Sequence, residues 1–267
     1  MKSEELGQWM SAAVNAAIAG GAEILDVYGK DFDVEIKSDN SPLTIADRRA
    51  HLKIMELLEV TGLQVLSEEG REMKFEERKD WAHFWMVDPL DGTKEFVKRN
   101  GEFTVNIALI HNGQSIAGVI YVPVKKWLYV AMPEMGSYKV ENVEPSQRMK
   151  ISEVREKGSK LPQEKSGPFV VVGSRSHMSP ETEEFIDKIK QEHGEVEIAS
   201  MGSSLKICLV AEGAADVYPR FAPTMEWDTA AGHAIAKCAG KNIQDHTTGA
   251  EMKYNKENLL NNWFIVQ

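Results

Sequence analysis

The sequence is poor in the residue types that would place it in several common classes. It holds only two cysteines in 267 residues, Cys208 and Cys238, both in helix-like stretches. That is no disulfide framework, and a reducing, cytoplasmic setting is the reading. No Cys/His spacing suits zinc, and no Gly-x-x-x-x-Gly-Lys loop is present to cradle a nucleotide triphosphate. Apolar runs stay short of about 18 residues, and no basic-then-apolar signal opens the chain. A transmembrane segment is therefore not expected, while peripheral attachment to a membrane surface is left open. Basic residues are in deficit, 31 against 41 acidic, for a net charge of −10. This argues against a nucleic-acid polymer as partner.

What is present is a core-forming composition, with 42% hydrophobic residues, in a length that suits one large domain or two modest ones. Residues 3–28 carry Leu6, Trp9, Met10, Val14, Ala17, Ile18, Leu25 and Tyr28 at helical steps, with Gly20-Gly21 weakening the middle. Phe32–Lys37 alternates like a half-buried strand. A helix capped by Thr44 or Asp47 runs to about Val60, with Ile45, Leu52, Met55 and Leu58 expected inside. Short strands follow at Leu63–Leu66, Phe103–Ile110, Ile116–Val122 and Trp127–Ala131. Residues 141–168 read as a polar connection with a short strand near Met149–Ile151. The second half alternates strand and helix: 169–172, 179–191, 196–199, 204–212, 215–218, a helix from Glu226, and a last strand at 263–266. The expected fold is α/β, α+β in residues 1–140 and α/β in 141–267.

Chemistry concentrates in Trp85-Met86-Val87-Asp88-Pro89-Leu90-Asp91-Gly92-Thr93. A buried strand from His83 ends in two aspartates, with Pro89 and Gly92 forcing a turn. Such a turn can aim both carboxylates and the Leu90 carbonyl at one point, an oxygen-only set that suits Mg²⁺. Thr93 can cap a helix or orient a water. Asp47 reads first as a helix cap. Beside the Asp-Gly-Thr string it becomes a carboxylate that accepts from Thr93. Glu68 leaves a strand at its C-terminal end, where α/β proteins place chemistry. Asp228, at a helix start in Trp-Asp-Thr-Ala-Ala-Gly, reads alone as a first-turn acid. With Glu68, Asp88 and Asp91 it completes an all-oxygen site able to hold two Mg²⁺ ions.

The strings Asp-Pro-Leu-Asp-Gly-Thr (88–93) and Trp-Asp-Thr-Ala-Ala-Gly (227–232), with the Glu68-Glu69 pair, resemble the inositol monophosphatase superfamily of Mg²⁺-dependent, lithium-sensitive phosphatases. Stretches 91–103, 173–177 and 202–206 are most similar to its bacterial 3′(2′),5′-bisphosphate nucleotidases. The resemblance implies a layered αβαβα sandwich of the sugar-phosphatase fold and hydrolysis of adenosine 3′,5′-bisphosphate to AMP. It implies two or three Mg²⁺ ions on Glu68, Asp88, the Leu90 carbonyl, Asp91 and Asp228. Catalytic roles fall to Asp47, Thr93 and Glu68. Gly92, Thr93, Ser174, His177, Gly202, Lys206 and Asp228 would touch substrate, with Lys206 on the retained phosphate and N–H groups near Gly202 cradling oxygens. An inositol or sugar monophosphatase, or a non-catalytic nucleotide or metal sensor, are the rivals. Oligomeric state is not readable.

Overall fold

Helix α1 (Ser3–Tyr28) buries Leu6, Met10, Val14, Ala17 and Ile18, the repeat visible in the sequence. The computed structural model describes residues 3–31, 34–36, 42–173 and 179–267. The expected strand at 32–37 is described only over β1 (Val34–Ile36), which pairs antiparallel with β2 (Pro42–Thr44). The glycine pair of α1 serves close packing. A Cβ on Gly20 would stand 2.9 Å from Ile54, and one on Gly21 would stand 2.5 Å from the Tyr121 ring. By length and composition α1 could cross a membrane, yet more than half of its apolar window is buried inside the protein.

Helix α2 (Ile45–Leu58) starts with both expected residues at once. The Thr44 hydroxyl accepts the Ala46 N–H, while the Asp47 carboxylate accepts the Thr44 N–H at 2.8 Å. This capping box turns Asp47 inward and fixes the buried stripe as Ala46, Ala50, Ile54 and Leu58. Ile45 and Leu52, expected inside, are 57% and 68% exposed. They lie off the four-residue row that the cap selects.

The next elements are β3 (Gln64–Ser67), α3 (Phe75–Arg78), β4 (His83–Asp91), α4 (Thr93–Val97), β5 (Thr104–His111), β6 (Gln114–Val122), β7 (Trp127–Met132), β8 (Gly136–Val140), α5 (Ile151–Lys157) and β9 (Ser159–Leu161). Strands β3 to β9 form one seven-stranded sheet in sequence order. The first pair is parallel and the rest antiparallel. The strand expected near Met149–Ile151 is instead the start of α5, where Glu153 accepts the Lys150 N–H at 2.9 Å and favours a helical first turn. Strand β9 pairs with β8, so this sheet runs on past residue 140.

The remaining elements are β10 (Phe169–Gly173), α6 (Pro180–His193), β11 (Val196–Ser200), α7 (Leu205–Glu212), β12 (Tyr218–Arg220), α8 (Glu226–Cys238), β13 (Ile243–Asp245) and β14 (Phe264–Val266). Strands β10 and β11 pair in parallel; β12, β14 and β13 form an antiparallel trio. The strand expected at 215–218 becomes β12 at Tyr218; just before it, Asp216 donates its N–H to Val170 O and Val217 makes a parallel bridge to Val171 of β10.

Alternation along β4 divides the core. Trp85 and Val87 pack with α1 and α2, whereas Phe84 and Met86 pack with α7 and α8. The small sheets lie beyond α7 and α8, and α6 covers β10, β11 and β12. The layers run α1/α2, large sheet, α7/α8, small sheets, α6. This is the expected αβαβα sandwich. Helix α8 sits very close to the large sheet: a Cβ on Gly118 of β6 would lie 2.5 Å from the Ala231 carbonyl oxygen.

Candidate active site

Strand β4 does not end at Val87. It continues through Pro89 to Asp91, with a register break between Asp88 and Asp91. Asp88 faces Asn106 and Asp91 faces Thr104, so two residues of β4 oppose one of β5. Residues three apart in a regular strand point to opposite faces; the extra residue brings both carboxylates to one face. Gly92 adopts φ 92°, where a side chain would be strained, and starts α4. Asp88 Oδ1 accepts the Leu90 N–H at 3.0 Å, which shapes the bulge.

Parallel pairing places Ser67 beside Val87, and Glu68 donates its N–H to Val87 O. Glu68 thereby emerges next to Asp88, close enough for the two charges to repel. Asp228 comes from the first turn of α8, where its Oδ2 accepts the Met225 N–H at 2.8 Å. Asp88, Asp91 and Asp228 present oxygens within 4.8 Å of one another. Burial, then repulsion from Glu68, Asp91 and Asp228, pushes Asp88 well above the ordinary carboxylate range. Burial, then Asp91, raises Asp228 to about 8. Burial also raises Asp91, against the Lys206 charge and the Ser204 N–H. Carboxylates placed this way must hold protons or a cation. Their oxygen-only chemistry fits a hard divalent ion such as Mg²⁺.

Asp47 and Thr93 meet as expected, with the Thr93 hydroxyl 3.3 Å from Asp47 Oδ1 and 3.4 Å from Leu90 O. Asp91, Gly92, Gly202, Lys206 and Asp228 line one cavity of about 720 Å³. Burial lowers the pKa of Lys206, with Asp91 opposing, and its Nζ donates to Met201 O. Ser174 and His177 lie outside the described residues. The cradle expected near Gly202 takes a different form: Gly202 N–H donates to Glu102 Oε2 at 2.8 Å and Ser204 N–H to Asp91 Oδ2 at 2.6 Å. Both donors serve the protein's own carboxylates.

A family model, described as the inositol monophosphatase family, matches residues 5–263. The chain belongs to this family. It is 47% identical over 251 residues to the 3′(2′),5′-bisphosphate nucleotidase CysQ of Shigella flexneri, across 92% of this chain and 94% of that one. Against the Haemophilus influenzae protein of the same name it is 32% identical, across 94% and 89%. The crystal structure of CysQ from Bacteroides thetaiotaomicron superposes with a TM-score of 0.88 at 53% identity, covering 97% and 96%. The suhB protein of Bartonella henselae, at 24% identity and TM-score 0.73 over 97% and 93%, shares the fold. Inositol monophosphatase family members are metal-dependent, in keeping with the acidic group found here.

Several residues around these carboxylates do not stand out in the sequence. Thr104, Asn106 and Ser204 are buried polar residues joined to one another around Asp91 Oδ2. Their signal was two polar residues, Thr104 and Asn106, two apart in an apolar strand. Arg220 lines the cavity with its buried Nε lacking a hydrogen-bond partner among the described residues, as does the hydroxyl of Ser203. Neither stood out locally, since both lie in short turns and strands.

Proposed function

We propose that this protein is a 3′(2′),5′-bisphosphate nucleotidase. It hydrolyses the 3′-phosphate of adenosine 3′,5′-bisphosphate to give AMP and phosphate, with Mg²⁺ as its ion and lithium as an inhibitor. The observation that carries the reading is one cavity in which the Asp91 and Asp228 carboxylates share the walls with the cations Lys206 and Arg220. A substrate with two phosphates needs both kinds of wall, one for the reacting phosphate and one for the retained phosphate. High identity to curated nucleotidases over nearly the whole chain supports the same substrate class.

Glu68, Asp88, the Leu90 carbonyl, Asp91 and Asp228 would hold two or three Mg²⁺ ions. Bound divalent ions supply charge neutralisation and a more acidic water for in-line displacement. The chain's own work is positioning. The Thr93 hydroxyl donates to Asp47 and so keeps its lone pairs for a proton from the attacking water. Glu68, beside Asp88, borders the same approach. Lys206 and Arg220 pair with the retained phosphate, Arg220 by its planar fork and Lys206 as a point charge. The Ser203 hydroxyl gains a partner from the same ligand. Free thiols at Cys208 and Cys238 suit a cytoplasmic setting.

The test is phosphate release from adenosine 3′,5′-bisphosphate and inositol 1-phosphate, with Mg²⁺, with and without lithium. Strong, lithium-sensitive preference for the bisphosphate is expected. Preference for inositol 1-phosphate would keep the metal site and remove the nucleotide pocket. Release from neither would make the protein a sensor.

A further inference from the structure

Glu95 and Glu102 line a cavity read above as holding an anion. Carboxylates there would repel a phosphate unless they serve something else. Glu102 Oε2 accepts the Gly202 N–H at 2.8 Å, and two residues on, Asp91 Oδ2 accepts the Ser204 N–H at 2.6 Å. The turn before α7 thus hangs between a loop carboxylate and a candidate metal ligand. Ser203, between the two anchors, is held at φ 48°. Gly202 is pressed against the same loop: a Cβ there would lie 2.7 Å from Glu95 Cγ and 2.8 Å from Glu102 O. The loop in turn is fastened. Asn100 Oδ1 accepts the Glu102 N–H at 2.9 Å. Gly101 sits at φ 74° against Val124. The Arg99 guanidinium donates to the Tyr28 and Lys30 carbonyls at the end of α1. One turn after Gly202 comes Lys206, whose Nζ bonds Met201 O.

We infer that Glu102 is a positioning residue for substrate selection: it anchors the 201–204 turn so that Ser203 and Lys206 meet the part of the substrate distant from the scissile phosphate. This rests on the nucleotidase reading. The anchor also joins two stretches, 91–103 and 202–206, that are far apart in the chain and that both mark the nucleotidase resemblance. They form one unit in which the first holds the second.

The experiment compares wild type, Glu102→Ala and Glu102→Gln on adenosine 3′,5′-bisphosphate and on p-nitrophenyl phosphate, which has no second phosphate. Glu102→Ala should raise KM for the bisphosphate about tenfold, the loss of one hydrogen bond's worth of alignment. Both constants for p-nitrophenyl phosphate should stay near wild type. Glu102→Gln keeps an acceptor for the Gly202 N–H and should restore KM. An unchanged bisphosphate KM in Glu102→Ala overturns the inference. A lowered KM does so too, because Glu102 would then be guarding the cavity by repulsion. Equal loss on both substrates would reduce Glu102 to general support, and failure of Glu102→Gln to rescue would assign the effect to charge; each overturns the anchor. A wild type with no preference for the bisphosphate overturns the nucleotidase reading instead.

Discussion

Replacing Gly118 with alanine tests how tightly the metal site depends on one packing contact. Gly118 lies in the middle of β6, facing the helix that supplies Asp228. The added Cβ would stand 2.5 Å from Ala231 O and 3.1 Å from both the Ala231 C and Cα atoms. All three are backbone atoms, so no side chain can swing away. Relief to ordinary contact requires α8 to retreat by about 1 Å, a form of overpacking that costs roughly 1–3 kcal/mol. For a chain of this size that is a fall in Tm of roughly 4–8 °C if the cost is about 2 kcal/mol. Asp228 is one turn before Ala231 on the same helix, so it moves with the backbone, away from Asp88 and Asp91. A displacement near 1 Å at reacting groups costs on the order of 10²-fold in rate. Thermal unfolding and phosphate release at saturating Mg²⁺ measure both effects. Gly232→Ala is the comparison, because the atoms nearest its Cβ, from 2.9 Å, belong to the Ile207 side chain and not to backbone. It should lose less on both counts. Wild-type Tm together with wild-type turnover in Gly118→Ala would refute the argument.

Thr93→Val should lower kcat by about 10²-fold or more, the scale of a lost proton-handling group, while Mg²⁺ still raises Tm; unimpaired turnover would remove the Asp47–Thr93 pair from the mechanism. His233 is wholly buried and neutral, with Tyr254 Oη 2.9 Å from Nδ1 and Asn242 Oδ1 3.2 Å from Nε2. Burial first, against the raising effect of Glu251, lowers its pKa to about 4. The unfolded chain takes a proton near pH 6.5 and the folded one does not, so the contribution is complete above 6.5 and is lost as pH falls toward 4. The difference is on the order of 3 kcal/mol. Urea midpoints at pH 7.5 and 4.5 should converge between wild type and His233→Gln at the acid end; an equal gap at both would sink the assignment. Gly7→Ala should raise stability by about 0.5–1 kcal/mol in a thermal scan, since its Cβ would meet only Ile151, at 3.7 Å.

How much of this was readable beforehand depended on how local the cause was. Pro89 and Gly92 act on their own backbone, so a special geometry at 88–93 was legible. That Asp88 and Asp91 share a face was not, because it needs a bulge against β5, far along the chain. Glu68 was legible as a strand-end acid, but its place beside Asp88 follows from the parallel register of β3 and β4. Ile45 and Leu52 are apolar yet exposed, because the cap decides which row of α2 turns inward. Arg220 stayed hidden because a three-residue strand carries almost no periodicity.

The structure also explains why a capping role and a chemical role are not alternatives for these acids. Asp47 Oδ2 accepts the Thr44 N–H, and its Oδ1 faces the Thr93 hydroxyl. Asp228 Oδ2 accepts the Met225 N–H, Asp91 Oδ2 the Ser204 N–H, and Asp88 Oδ1 the Leu90 N–H. In each case one oxygen is spent on a backbone donor, which fixes the carboxylate's direction, and leaves the second for the site. A side chain held in this way needs little reorganisation when charge arrives. Asp88, Asp91 and Asp228 brought together without such tethers would splay apart under their own repulsion. The helix starts and the bulge therefore do two jobs with the same side chains: they end or bend an element, and they aim an oxygen.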